Sequence, residues 1–142
     1  LISVVVVNWN RRELLRACLA SLARQGGVPF ETIVVDNGST DGSADLAERE
    51  FSARVIRNRE NRGFCAANNQ GIAAARGDFI ALLNNDAEAE SGWLAELHRA
   101  CASAPDVGMA ASKVLVWEDP RRIDKVGHLI FPDGQNRGRG AG

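Results

Sequence analysis

Residues 2–10 read Ile2-Ser3-Val4-Val5-Val6-Val7-Asn8-Trp9-Asn10. Up to Val7 the run is short, β-branched and apolar without alternation, the pattern of a strand covered on both faces, as in a parallel sheet. It breaks at a cluster of polar groups around Trp9. A parallel sheet next needs a crossover, and residues 12–24 supply it: Leu14, Leu15, Cys18, Leu19 and Leu22 recur at spacings of three and four. That spacing predicts one helical stripe, which Gly26 and Gly27 end.

The alternation then repeats. Thr32 to Val35 predicts a second buried strand, running into Asp36-Asn37-Gly38-Ser39-Thr40-Asp41-Gly42-Ser43, where every residue is a turn or cap former. A helix follows from Ala44 to Phe51, then a weak strand from Arg54 to Arg57 and the polar loop Asn58-Arg59-Glu60-Asn61-Arg62-Gly63. Alanine-rich Phe64 to Arg76 predicts a helix stopped by Gly77. Asp78 to Leu83 predicts a strand ending in Asn84-Asn85-Asp86, and Gly92 to Ala102 a helix with Trp93, Leu94, Leu97 and Cys101 on one stripe. Val107 to Val116 has room for one or two strands, and beyond Trp117 the pattern weakens. Residues 134–142 hold four glycines, two arginines and no large apolar residue, which predicts a flexible tail. The whole reads as one α/β domain over residues 1–133, a mainly parallel sheet flanked by helices.

Composition narrows the function. With 17 basic and 18 acidic residues the net charge is -1, so no global field draws in nucleic acid or an anionic membrane. Cys18, Cys65 and Cys101 are odd in number and widely spaced. They suit free thiols in a reducing compartment better than a disulfide or zinc framework. No apolar run approaches the ~20 residues of a membrane span, and no signal peptide is evident. The first residue is Leu1 rather than Met, which suggests a piece of a longer protein.

In open α/β sheets ligands bind beyond the carboxyl ends of the strands. Three strands here end in polar groups: Asn8-Trp9-Asn10, Asp36-Asn37-Gly38-Ser39 and Asn84-Asn85-Asp86. Parallel strands would bring all three to one rim. Asp36 has two readings, as an acceptor for a base N–H or a ribose hydroxyl, and as a cap or Asx-turn organising its loop. Asp41 reads as an ordinary helix start. Asp86 can offer a carboxylate to a hard divalent ion that also binds substrate phosphates, with Glu88 and Glu90 close by. The alternative for these acids is solvated charge at a helix start. Arg62 can hold a pyrophosphate bidentately or be an exposed surface arginine. Asn68 and Asn69 are poor helix formers in mid-helix, so one of them is expected to bond a neighbouring loop. His98 and His128 lack partners at metal-ligand spacing. Gly38 to Gly42 is neither a P-loop nor a dinucleotide fingerprint.

Four of these segments, in order, resemble glycosyltransferase family 2, inverting enzymes with a GT-A fold: residues 4–10, residues 33–43, Asn61-Arg62-Gly63-Phe64 with Ala67-Asn68-Asn69-Gln70-Gly71, and Leu82-Leu83-Asn84-Asn85-Asp86. The likeness covers residues 1 to about 95 well and the rest loosely. It implies a nucleotide-diphosphate-sugar site in which Asp36 contacts the base and the backbone at Val7 and Asn8 lines the pocket. Arg62 would lie near the nucleotide or pyrophosphate, Asn85 would join the donor site, and Asp86 would bind Mg²⁺ or Mn²⁺ with the diphosphate. The Asn-Trp-Asn and Val-Asp-Asn-Gly-Ser wording is similar to the rhamnosyl- and galactofuranosyl-transferase branch. That implies a dTDP- or UDP-linked donor, a glycan or lipid-linked acceptor in cell-surface polysaccharide synthesis, and a cytoplasmic location at the inner face of the membrane.

Two departures stand out. Asn84 replaces the first acid of the usual Asp-x-Asp pattern. No acidic motif before Gly142 matches the one in which the family keeps its catalytic base; Asp124 and Asp133 lie in other contexts. The base is therefore expected outside this chain. Nucleotidyl transfer is a weaker alternative, because Asn8-Trp9-Asn10 lacks the glycines it needs. A non-catalytic nucleotide-binding or assembly module is another. A sheet cut short would also expose an apolar face or edge, which makes a homodimer an expectation.

Overall fold

The computed structural model describes residues 1–130 and 136–138. It divides into two compact units, Leu1–Glu96 and Leu97–Gly142.

In the first unit the elements are β1 (Ile2–Asn8), α1 (Arg12–Ala23), β2 (Phe30–Asp36), α2 (Ser43–Phe51), β3 (Arg54–Arg57), α3 (Phe64–Ala74) and β4 (Phe79–Leu82), with α4 (Trp93–Cys101) running across the division. The four strands form one sheet in the order β3-β2-β1-β4. All three pairings are parallel, with Val5 opposite both Ile33 and Leu82. The α/β expectation holds, and the reason is visible strand by strand. In β1, Ile2, Val4 and Val6 face one core, shared with Leu15, Cys18, Leu19 and Leu22 of α1 and Leu46 and Ala47 of α2. Val5 faces the other, with Ile33, Val35 and Ala67 of α3. A strand with helices on both sides has no polar face, hence the unbroken valines. Leu14 departs from the expected stripe: it is 42% exposed, at the margin of the helix face that packs on the sheet.

Gly71 lets α3 lie this close. A Cβ there would overlap the Val5 side chain. At the amino ends of the strands, the buried Ser3 hydroxyl donates to Glu31 (2.7 Å) and accepts from the N–H groups of Arg76 (3.1 Å) and Gly77 (2.9 Å). These bonds stop α3 at Ala74, two residues short of the expected Arg76. They also draw Glu31 into β2, which starts at Phe30 rather than Thr32.

The strand order reverses direction between β1 and β4. The chain steps from β1 to β2 to β3, then crosses back to the far side of β1. The carboxyl ends of β1 and β4 therefore flank a topological switch point.

The second unit contains β5 (Lys113–Leu115) paired antiparallel with β6 (Ile123–Val126), and β7 (His128–Ile130) paired antiparallel with β8 (Asn136–Gly138). Of the one or two strands for which residues 107–116 have room, one forms, β5. Asn136–Gly138 belong to the segment expected as a tail and here make a strand; the rest of residues 134–142 lies outside the described residues. Asp124 is an exposed residue of β6 in this unit, His98 is half-buried on α4, and Asp133 lies outside the described residues.

Candidate functional site

The three polar strand ends do meet on one rim, because the strands are parallel and in register: Asn8 sits directly opposite Asp36. Asn8 is fully buried. Its Nδ2 donates to Ser43 Oγ at 2.9 Å, with longer contacts to Asp36 Oδ1 and Ser39 Oγ, both at 3.4 Å. Its Oδ1 accepts from Asn85 Nδ2 at 2.8 Å. One carboxamide thus joins the loop after β2 to the turn after β4. Val7, half-buried beside it, packs on the α3 side of the sheet.

Asp36 is 3% exposed. Its Oδ2 accepts the Ser39 N–H at 3.0 Å and its Oδ1 the Ser43 hydroxyl at 3.5 Å. The carboxylate therefore folds its own loop back, as an Asx-type turn does. Asp41 works outward from the same loop. Its Oδ1 accepts from the Ser43 hydroxyl (2.6 Å) and N–H (3.0 Å), and its Oδ2 from the Arg12 N–H (2.9 Å). One carboxylate therefore takes up free N–H groups at the starts of both α1 and α2. Burial opposes ionisation of Asp41, but the Ser43 and Arg12 donors outweigh it and hold the carboxyl below its ordinary value. Asn10, in a left-handed conformation at φ 49°, accepts the Thr40 N–H at 2.8 Å and closes the first loop onto the second.

Asn37 reads in the sequence as a turn former only. In the fold it is 2% exposed and holds the whole 58–63 loop. Its Oδ1 accepts from Asn58 Nδ2 (2.9 Å) and the Arg62 N–H (3.2 Å), and its Nδ2 donates to Asn61 Oδ1 (3.0 Å) and Gly63 O (3.3 Å). Gly38 lets the two loops touch: its φ is +80°, and a Cβ would stand 2.9 Å from Glu60 Cα. Asn58 also exchanges amide bonds with Gln70 of α3 at 2.8 and 2.9 Å. The helix residue that reaches the loop is thus Gln70. The expectation for an asparagine does not hold: Asn68 turns back on its own helix to Phe64 O (3.0 Å), and Asn69 is exposed. Arg62 has its backbone fixed in this loop, while its side chain is exposed with no ion pair among the described residues.

Beyond β4 the chain runs along α1. The Cys18 thiol donates to Asn84 O (3.4 Å), Ser21 Oγ accepts the Ala89 N–H (2.9 Å), and Gln25 Nε2 donates to Glu90 O (2.9 Å). Cys18 and Ser21 lie one turn apart on α1 and Gln25 follows just beyond its end, a run of polar anchors that hydrophobic periodicity alone does not read. Asp86 is exposed and has no hydrogen bond or ion pair among the described residues. Glu88 pairs loosely with Arg24 at 3.8 Å. Burial pushes the Cys18 thiol up to about 12, helped by the negative field of Asp86 and Glu88. Among the described residues no three His, Cys, Asp or Glu side chains converge as a metal cage.

The rim therefore presents an outward carboxylate at the switch point, an outward guanidinium one loop away, and Trp9, 53% exposed, at the end of the central strand. A family profile described as glycosyl transferase family 2 matches residues 3–136. The chain is 36% identical over 110 residues to the putative glycosyltransferase EpsH of Bacillus subtilis, covering 75% of this chain and 32% of the relative. It is 32% identical over 138 residues to the O-antigen biosynthesis protein RfbC of Myxococcus xanthus, covering 93% of this chain and 10% of that protein. Among solved structures, TarS of S. aureus superposes with a TM-score of 0.65 at 25% identity, covering 72% of this chain and 32% of TarS. The mannosyltransferase PcManGT of Pyrobaculum calidifontis, solved with GDP-Man and Mn²⁺, shares the fold with a TM-score of 0.71 at 24% identity, over 84% of this chain and 37% of its own. The chain spans about a third or less of the length of these curated relatives. The profile runs through all four parallel strands and the rim they build, and the chain belongs to glycosyl transferase family 2.

Proposed function

We propose that this chain forms the donor site of an inverting glycosyltransferase that uses a nucleotide-diphosphate sugar and a divalent cation. The observation that carries the reading is the contrast on the rim. Every polar side chain buried there is engaged, while Asp86 and Arg62 point outward without partners among the described residues. A free carboxylate and a free guanidinium beside a switch-point crevice suit a diphosphate: the guanidinium meets its oxygens directly, and the carboxylate meets them through a cation.

The residues present fit Mg²⁺ or Mn²⁺ of the kind held by one carboxylate and substrate phosphates, with no cage of protein ligands. Asp86 would hold the ion, and the negative field that Asp86 and Glu88 impose on Cys18 favours a cation there. When bound, the ion supplies Lewis-acid stabilisation of the leaving diphosphate. Trp9 offers an exposed ring face on which a base can stack. Asp36 is nearly enclosed, so its main work is to fix its loop, and its part in holding a base is limited to the 3% of its surface that stays exposed. In the transfer, an acceptor hydroxyl oxygen bonds to the anomeric carbon from the face opposite the diphosphate. The carbon–oxygen bond to the diphosphate breaks and the hydroxyl proton passes to a general base, which we assign to no residue of this chain.

A dTDP- or UDP-linked donor and a cell-surface glycan or lipid-linked acceptor follow from the wording of the first two motifs. The likeness to the O-antigen biosynthesis protein RfbC supports the cell-surface setting. Among the described residues no helix is long and apolar enough to cross a membrane. Work at the inner face of the membrane remains part of the proposal.

Calorimetric titration of UDP and dTDP, with and without Mn²⁺, tests the reading. Mn²⁺ is expected to tighten binding, and Asp86→Ala to remove about tenfold of that affinity, or ~1.4 kcal/mol. A folded chain that binds neither nucleotide, or an Asp86→Ala chain that responds to Mn²⁺ unchanged, would overturn it.

A further inference from the structure

We infer that Asn8 is a positioning residue of the donor site, a strut across the switch-point crevice that sets the Asp36 loop and the Asp86 turn at one spacing. The inference rests on the donor-site reading above and assigns Asn8 no contact with substrate.

β1 and β4 are the two strands between which the connections diverge, so the gap between their carboxyl ends is where a ligand enters. Backbone pairing of β1 and β4 ends with the Leu83 N–H on Val5 O at 3.1 Å, short of the rim. From there outward, among the described residues, β1 meets the Asn84–Asp86 turn through one hydrogen bond, Asn85 Nδ2 to Asn8 Oδ1 at 2.8 Å. The same carboxamide donates to Ser43 at 2.9 Å and touches Asp36 and Ser39. Its main-chain carbonyl accepts the Asn37 N–H at 2.8 Å. With all of its polar atoms used and its side chain fully buried, Asn8 has nothing left to offer a ligand. What it does is mechanical. The β2 loop, which begins at Asp36, and the β4 turn, which carries Asp86, are both fixed to one planar group. Leu, close in volume, would fill the space and hold neither; Asp would keep the acceptor for Asn85 and place a second charge against Asp36. Cooperation between nucleotide and cation should then pass through Asn8, since a diphosphate spans both loops.

The test uses the chain as it stands, with Asn8→Ala, the milder Asn85→Ala at a half-buried site, and the double variant. Hydrogen exchange of the free proteins reads the strut itself. Asn8→Ala is expected to speed exchange about tenfold at Ser39 in one loop and at Ala87 and Ala89 in the other, and Asn85→Ala only at Ala87 and Ala89. Titration of UDP with and without Mn²⁺ reads the consequence. Each single variant is expected to cut the Mn²⁺ enhancement about fivefold, and the double variant no further than Asn8→Ala, because both remove one bridge. Losses that multiply in the double variant, an Asn8→Ala effect confined to one loop, or a folded Asn8→Ala chain with the full Mn²⁺ enhancement would each overturn the inference. Should Asn8→Ala not fold, an Asn85→Ala chain with undiminished enhancement overturns it equally. The expected exchange pattern in the variants, with a folded wild-type chain that binds no nucleotide, would sink the donor-site reading and leave the strut standing.

Discussion

Asp36 and Asp86 each follow a hydrophobic strand of the same parallel sheet, and the fold treats them in opposite ways. Asp36 is turned inward, 3% exposed, and bonded to the loop it begins. Asp86 is exposed and unpaired among the described residues, although the chain around it is anchored to α1 at Asn84 and Ala89 and to Gln25, just beyond that helix, at Glu90. The difference lies in what does the anchoring. Around β2 the side chains Asp36, Asn37 and Ser43 hold the loops, so they are consumed. Around β4 the Asn85 side chain is held by Asn8, and the other anchors are main-chain carbonyl and N–H groups met by Cys18, Ser21 and Gln25, which leaves the acidic side chain of Asp86 without a partner among the described residues. One end of the rim is held together by its own side chains, and the other keeps an acidic side chain exposed.

That contrast can be broken by stability measurements. Asn37→Ala removes four hydrogen bonds from a buried carboxamide and leaves the 58–63 loop unanchored. It is expected to cost about 3 kcal/mol in denaturant unfolding, at the upper end for a buried polar network. A loss under about 1 kcal/mol would mean the β2 side is no more built than the β4 side. Asp86→Ala, by contrast, should stay within about 0.5 kcal/mol of the wild type, as an exposed, unpaired side chain should.

Acid sharpens the same comparison. The carboxyl of Asp41 is held below its ordinary value of 3.8 in the folded chain. A depressed folded value means that its contribution is fully present above the ordinary value and is lost as pH falls through the lower, folded one. Unfolding followed from pH 6 downward should therefore show stability falling in that acid window, and Asp41→Asn should flatten this part of the profile. An unchanged profile in Asp41→Asn would show that the joint between α1 and α2 does not depend on the charge.

The smallest effect concerns the edge of the sheet. On β4, Phe79 and Ala81 pack against the α1 core, whereas Ile80 and Leu82 are 43% and 53% exposed on the other face. An apolar face on an edge strand favours self-association. We expect concentration-dependent dimerisation of this chain in light scattering, reduced by Leu82→Glu. A monomer at all concentrations would overturn the expectation of a homodimer.

Much of this was legible without coordinates. The unbroken valines of β1 required a strand covered on both faces, and the alternation of strand and helix required a parallel sheet with its polar strand ends on one rim. What remained hidden was non-local. No local pattern says that Ser3 will stop α3 by accepting from Arg76 and Gly77, or that a charged Glu31 belongs inside β2. The short strands β6 to β8 were also hidden, because Ile123-Asp124-Lys125-Val126 carries too few apolar residues to stand out from a loop. Gln70 rather than an asparagine reaches the loop because helix phase, not residue type, decides which amide points there.

The sequence by itself determined the layers, the sheet direction, the rim and the family, since each depends on periodicity, turn chemistry and order along the chain. Only the tertiary structure decided which polar residues are spent and which are free. Asn8, Asn37, Asp36 and Asp86 look alike in the sequence, as polar residues that follow buried strands. Their roles diverge because a hydrogen bond consumes a side chain only when folding brings a partner within about 3 Å, and those partners lie 21 to 77 residues away for the two asparagines.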